Sequence, residues 1–308
     1  MLNKGGRRIL ISGGSGLIGN ALASDLARDG NEVIVLSRHP EKLAILPAGV
    51  RVEKWDAQTA EGWYRLANGA DAIVNLAGES IGSGRWTDER KRTIVRSRVE
   101  AGRAIVQAVE TSSKKPRVVI QASAVGYYGP TDDKRITEKA PQGHDFLARI
   151  ALDWEASTEP VERFGVRRVV IRTGVVLSKK GGALPRMVTP FRFFAGGRLG
   201  NGCQWLPWIH IADEIGAIRF LIDNENANGA FNLTAPFPVI NTEFSRLLGR
   251  QLKRPSHFSV PAFVLRLLFG EMASVLLAGQ QAIPERLLEM GFGFRYSEAH
   301  QALKDLLS

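Results

Sequence analysis

Short, nearly continuous apolar runs recur along the first half of the chain: Ile9–Ile11, Val33–Leu36, Ala72–Leu76, Val118–Gln121 and Val169–Ile171. They are rich in β-branched residues and lack the alternation of a strand with one wet face, so they predict strands buried on both faces of a parallel sheet. Val50–Val52 adds a further short strand. Helical periodicity fills the intervals, over Leu17–Asp29, Thr59–Ala67, Asp88–Val109 and Asp145–Arg163. Strand and helix in turn are the pattern of an α/β fold with a doubly wound parallel sheet.

After Thr173 the texture changes. Glycine pairs at Gly181-Gly182 and Gly196-Gly197 punctuate a stretch rich in Arg, Phe and Trp, and loops of that size are often functional. From Arg254-Pro255 the pattern is one of short helices interrupted by Pro261, Gly270 and Pro284, with a last helix near Ser297–Leu307. These features divide the chain into a sheet domain over residues 1–173 and a smaller substrate-side region over 174–308. Some later elements return to the sheet, and residues 254–308 form a helical carboxy-terminal extension.

Composition narrows the function. An apolar content of 44% excludes a disordered chain, and one cysteine, Cys203, excludes an internal disulfide or a cysteine-based zinc site. Such cysteine usage suits a reducing compartment. Met1–Arg8 has no apolar stretch of a secretory leader, and the longest apolar segment, Phe258–Ala278, is broken by Pro261, Arg266 and Glu271. The expectation is a cytoplasmic protein without a membrane anchor. The net charge of +10 is spread over both halves without a basic block, which suits an anionic small molecule better than nucleic acid.

Gly14-Ser15-Gly16-Leu17-Ile18-Gly19, preceded by Gly13, follows the first strand directly and opens the first helix. In that position glycines permit the tight turn, and backbone N–H groups and the helix amino terminus meet a pyrophosphate. The second strand ends on Ser37-Arg38, where an NAD-binding chain would place a carboxylate. An arginine there forks onto a 2′-phosphate, so the cofactor predicted is NADP(H). Leu76, Ala77 and Gly78 end the fourth strand with small residues that let a ribose pass. Asp56 either reaches the adenine or caps the next segment.

On the long helix, Arg92, Arg96 and Arg103 form a solvated stripe in line with Arg85, whereas Arg98 falls on the apolar half. A cation on a buried face needs an anionic partner, of which a cofactor phosphate or ribose is one, or must snorkel past the edge.

With Gly13–Gly19, Ser37-Arg38, Asn75–Glu79, Ser123–Gly129, Trp154-Glu155 and Trp205–Asp213, the chain resembles the extended short-chain dehydrogenase/reductase superfamily. The likeness is to its epimerase-like branch of NADP-binding proteins with a carboxy-terminal extension domain. The resemblance implies a Rossmann-type fold and a substrate region after the sixth strand. It also implies a Tyr-x-x-x-Lys pair, which this chain lacks. Aligning Glu155 with the family's glutamate puts Leu147 and Ala151 at those two positions. Ser123 and Tyr127, after the fifth strand, are the remaining candidate catalytic residues, with Tyr128, His210 and Asp213 nearby in the pattern. Two readings stay open: an oxidoreductase or epimerase acting on a small polar substrate, and a non-catalytic NADPH-binding or sensing protein.

Overall fold

A continuous apolar run has to be covered on both sides, and the sheet it forms dictates the remaining architecture. The computed structural model describes residues 6–42 and 49–308. The sequence reading of the amino terminus therefore falls partly outside the described residues. The strands β1 (Arg8–Ser12), β2 (Glu32–Ser37), β3 (Val50–Lys54), β4 (Ala72–Asn75), β5 (Val118–Ala124) and β6 (Arg167–Thr173) contain the expected runs. A seventh, β7 (Gly229–Leu233), comes from the second half of the chain. All neighbours pair in parallel, in the order β7-β6-β5-β4-β1-β2-β3. The order reverses at β1, and in such a sheet the crevice above the reversal is where ligands bind.

Alternate residues of β1 serve opposite faces. Ile9 and Ile11 pack with Leu22 and Leu26 of helix α1 (Leu17–Arg28). Leu10 packs with Ala101, Ala104 and Ile105 of the long helix that follows β4. Each fully buried leucine contributes roughly 2 kcal/mol. Between β3 and β4 lies α2 (Tyr64–Ala67), and the long helix is α3 (Asp88–Thr111). The helical pattern predicted from Thr59 forms only from Tyr64 because Gly62 takes a left-handed conformation, φ +84°. The pattern predicted over Asp145–Arg163 divides into α4 (Phe146–Ala156) and a tighter turn over Glu159–Phe164, with Pro160 unable to continue the α-helical ladder.

Beyond β6 the chain forms α5 (Ala183–Arg192), α6 (Ile211–Asp223), α7 (Asn241–Leu252) and α8 (Ala262–Phe269). The short helices α9 (Ser274–Leu277) and α10 (Glu285–Glu289) precede α11 (Ala299–Leu307). Phe244 and Leu248 of α7, Ala302, Leu303 and Leu306 of α11, and Trp208 share one core. Helix α6 instead covers the same sheet face as α1. No helix among the described residues is long and apolar enough to cross a membrane.

Helix α6 carries an ionisable group into that core. Glu214 is wholly buried; Thr173 Oγ1 donates to its Oε1 at 2.9 Å, and Oε2 has no hydrogen-bond partner. Burial pushes its pKa from 4.5 up to about 8. The folded chain therefore keeps a proton between those values that the unfolded chain has lost, and stability falls as pH rises through that window. Glu214→Gln is expected to remove most of this decline, on the order of a few kcal/mol between pH 5 and pH 9. Urea denaturation at the two pH values measures it, and an equal decline in both proteins would exclude Glu214 as its source.

Candidate functional site

Three backbone segments converge above the sheet reversal. Gly13 has φ +70°, and a Cβ there would lie 2.6 Å from Leu76 O, so the first turn after β1 presses against the end of β4. A Cβ on Gly19 would lie 2.6 Å from Gly14 Cα, so α1 starts directly beneath the turn. Gly16 caps α1 without a side-chain hydrogen bond, and no acidic residue occupies the first turn. The amide N–H groups at that end are therefore free for an anion.

The turn opens on a groove of about 510 Å³. Gly13, Ser15, Gly16, Ser37, Arg38, Leu76, Ala77 and Gly78 line it, so most of the predicted binding residues meet in one place. Gly14 lies behind the turn against Val35, while Gly19 and Ile18 belong to the supporting helix. Leu17 faces a neighbouring depression and touches the loop at Gly182.

Arg38 stands at the mouth. Its Nη2 is 3.9 Å from Glu79 Oε2, and Arg90 Nη2 donates to Glu79 Oε1 at 3.2 Å. Ser37 Oγ accepts from the N–H of His39 at 3.1 Å, fixing the bend from which Arg38 projects. Arg96, read from the sequence as part of a solvated stripe, is exposed and also stands with Thr93, Ser97 and Glu100 along the groove wall. Trp55 and Gln58 complete the opposite side. Asp56 accepts from the N–H groups of Gln58 and Thr59, both at 2.8 Å. Partial burial raises its pKa, but these bonds outweigh it and hold the carboxyl below its ordinary value. Asp56 thus lines the groove while its oxygens fix a local turn.

Arg98 does not line the groove. Its Nη1 donates to the carbonyls of Glu79 and Ile94, both at 3.0 Å, and its guanidinium lies 4.7 Å from the Trp154 ring centre. Burial lowers its pKa to about 10. Its hydrogen bonds go to those carbonyl oxygens, the Glu79 carboxylate opposes the effect of burial on its charge, and Arg98 lies against Gly78.

At the end of β5, Ser123 Oγ donates to Glu155 Oε1 at 2.6 Å. Arg172 holds both oxygens of the same carboxylate at 2.9 Å, and its Nη1 donates to Tyr128 Oη at 3.1 Å. Tyr128 in turn donates to Asn232 Oδ1 at 2.7 Å. Burial raises the Tyr128 phenol to about 12 against the opposing pull of Arg172. The Tyr127 ring covers Arg172, with the guanidinium carbon 3.4 Å from the ring centre. Leu147 and Ala151 share a face of α4 with Glu155: a Cβ on Gly126, beside Tyr127, would lie 3.4 Å from Leu147 Cβ, and Leu147 also packs in an apolar cluster with Trp86, Ile94, Phe269 and Met272.

His210 caps α6, its Nδ1 accepting from Ala212 N at 3.0 Å, and its Nε2 lies 3.3 Å from Asp305. Asp213 does not cap that helix; its oxygens accept from the N–H groups of Arg295 and Tyr296 at 2.8 and 2.9 Å. Arg85 donates to the carbonyls of Leu267 and Leu268.

Residues 9–234 match the model of the NAD dependent epimerase/dehydratase family, and residues 260–306 match a domain of unknown function. The chain is 37% identical to an epimerase family protein of Staphylococcus aureus (strain MRSA252) over 98% of its own length and 99% of that protein's. It is 38% identical to the epimerase family protein YfhF of Bacillus subtilis (strain 168), over 97% and 98% of the two chains. Among solved structures it is similar to the human epimerase family protein SDR39U1 (isoform 2) with NADPH. That likeness has a TM-score of 0.87 and 34% identity over 97% of this chain and 99% of the human one.

The Glu155–Arg172 pair is 12% and 6% exposed in its side chains, so removing one partner strands the other's charge. Glu155→Ala is expected to lower stability by roughly 3–5 kcal/mol, against about 1 kcal/mol for Ser123→Ala. Denaturant unfolding at neutral pH measures both, and equal losses would refute this view of the cluster.

Proposed function

The chain belongs to the NAD dependent epimerase/dehydratase family, and on that premise we propose that it binds NADP(H) and exchanges hydride with a small polar substrate. The observation carrying this reading is Arg38 at the mouth of a groove floored by glycine backbone. The glycine cradle fits a dinucleotide, because side chains at Gly13 or Gly19 would collide with backbone. Amides at the start of α1 would hold the pyrophosphate, and Arg38 the 2′-phosphate, with Arg96 on the same wall. Leu76–Gly78 would let a ribose lie close. The NADPH of the human relative supports this choice.

The bound nicotinamide supplies the hydride or accepts it. Protons are the task of this chain's own side chains, and Ser123 and Tyr127 are our candidates. Ser123 already donates to Glu155, which leaves its oxygen free to accept from a substrate hydroxyl. The chemistry and single exposed Cys203 suit a reducing, cytoplasmic setting.

A second reading, binding of NADPH without turnover, is favoured by one observation: Leu147 and Ala151 cannot move a proton, and Leu147 sits in an apolar cluster. Stereospecific consumption of NADPH across a panel of ketones and nucleotide-sugars separates the two, and an unchanged cofactor throughout would favour the second. For the cofactor itself, Arg38→Asp is expected to weaken NADPH binding roughly 10–100-fold while leaving NADH within a few-fold. Titration by nicotinamide fluorescence reads this, and tighter binding of NADH by the unaltered protein would overturn the assignment.

A further inference from the structure

Along α7 and the chain after it lies a further depression, of about 620 Å³. Arg198, Arg246, Arg250, Lys253 and Arg254 line it, and its lining contains no Asp or Glu. Among the described residues, none of these five cations forms an ion pair with a carboxylate. Arg198 Nε approaches Ser259 Oγ at 3.4 Å, and Arg254 lies 4.5 Å from the Phe194 ring centre. The left-handed Lys253 (φ +53°) ends α7 and folds the chain back, with Arg254 N donating to Gly249 O. The carboxyl end of a helix favours one or two cations through its dipole. That leaves Arg198, on a separate strand segment, and Arg246, a turn and more back along α7, unexplained. Phe258, 57% exposed, forms part of the same wall.

Like charges gathered around one cavity repel, and a multivalent anion converts that repulsion into attraction. An exposed aromatic ring beside them offers a face on which a nucleobase stacks. We propose that this cleft is a binding site for a nucleoside polyphosphate, with the phosphates on Arg246, Arg250 and Arg254 and the base on Phe258. The site shares no lining residue with the NADP(H) groove and does not depend on that assignment.

The test is calorimetric titration of the full-length protein, saturated with NADPH, using magnesium-free ATP and inorganic tripolyphosphate in parallel. Saturable binding of ATP is expected, weakening as salt is raised. Arg246→Ala/Arg250→Ala is expected to reduce affinity at least tenfold for both probes. Arg246→Lys/Arg250→Lys should restore most of it. Phe258→Ala should weaken ATP severalfold and leave tripolyphosphate unchanged. These side chains are exposed, so thermal unfolding of the variants should match the parent. No saturable binding of ATP would overturn the proposal. So would a loss of ATP binding that follows Arg38→Asp and not the α7 arginines, since ATP would then lie in the cofactor groove. Binding of an oligoribonucleotide to the same arginines, with none of ATP, would make the cleft a nucleic-acid surface instead.

Discussion

Backbone pressed on backbone at the carboxyl ends of β1 and β4 is the constraint on which the rest of this molecule depends. Gly13 meets the Leu76 carbonyl, and α1 begins under Gly14 with no room for a side chain at Gly19. The contact sets where the helix starts and leaves its first amides open to a ligand. It also sets where the β4 loop passes, and the groove lies between the two. A buried ladder secures the same level of the sheet: Ser12 Oγ donates to Asn75 Oδ1 at 2.6 Å, and Asn75 Nδ2 donates to Gln121 Oε1 at 2.8 Å. Those side chains sit in register on β1, β4 and β5, so the polar atoms that end the strands satisfy one another.

One strand further along, the buried polar groups answer to a different need. Glu155, Arg172, Ser123, Tyr128 and Asn232 form a connected set spanning β5, α4, β6 and β7. Each charge is matched within the set, which is what makes its burial tolerable. Arg172 also carries the Tyr127 ring, so the two residues that remain as proton-handling candidates are both attached to this cluster. The positions that the superfamily resemblance assigns to proton transfer, Leu147 and Ala151, stand on the same face of α4 as Glu155 and carry no group that can move a proton. Whatever chemistry this chain performs, the groups that move protons are braced from the sheet side.

The strands of the first half were legible because burial on two faces leaves a continuous apolar run that little else imitates. The groove was legible for a related reason: glycines, a serine–arginine corner and small residues stand at strand ends, where chain order alone brings them together. β7 escaped notice. It follows a polar turn, and its penultimate residue, Asn232, is buried by partners from Glu138, Tyr128 and Ile283 that no local pattern reveals. Arg98 and Arg96 show the limit most clearly. A wheel placed the first on the buried half and the second on the wet half, as the structure has them, but it did not show that carbonyls hold the first or that the second lines the groove. Helix periodicity gives the direction of a side chain, whereas its partner is set by loops that arrive from elsewhere.

Glu79 gives the mouth of the groove its particular character, since it already engages Arg38 on one side and Arg90 on the other. On the proposed reading, a phosphoryl group at Arg38 would arrive beside a carboxylate 3.9 Å away, and its affinity would be set against that loose, partly exposed pairing. Selectivity under such competition arises from charge density: a dianion outbids a carboxylate, while a plain ribose hydroxyl does not. Were Arg38 to turn to such a ligand, Glu79 would keep its pairing with Arg90.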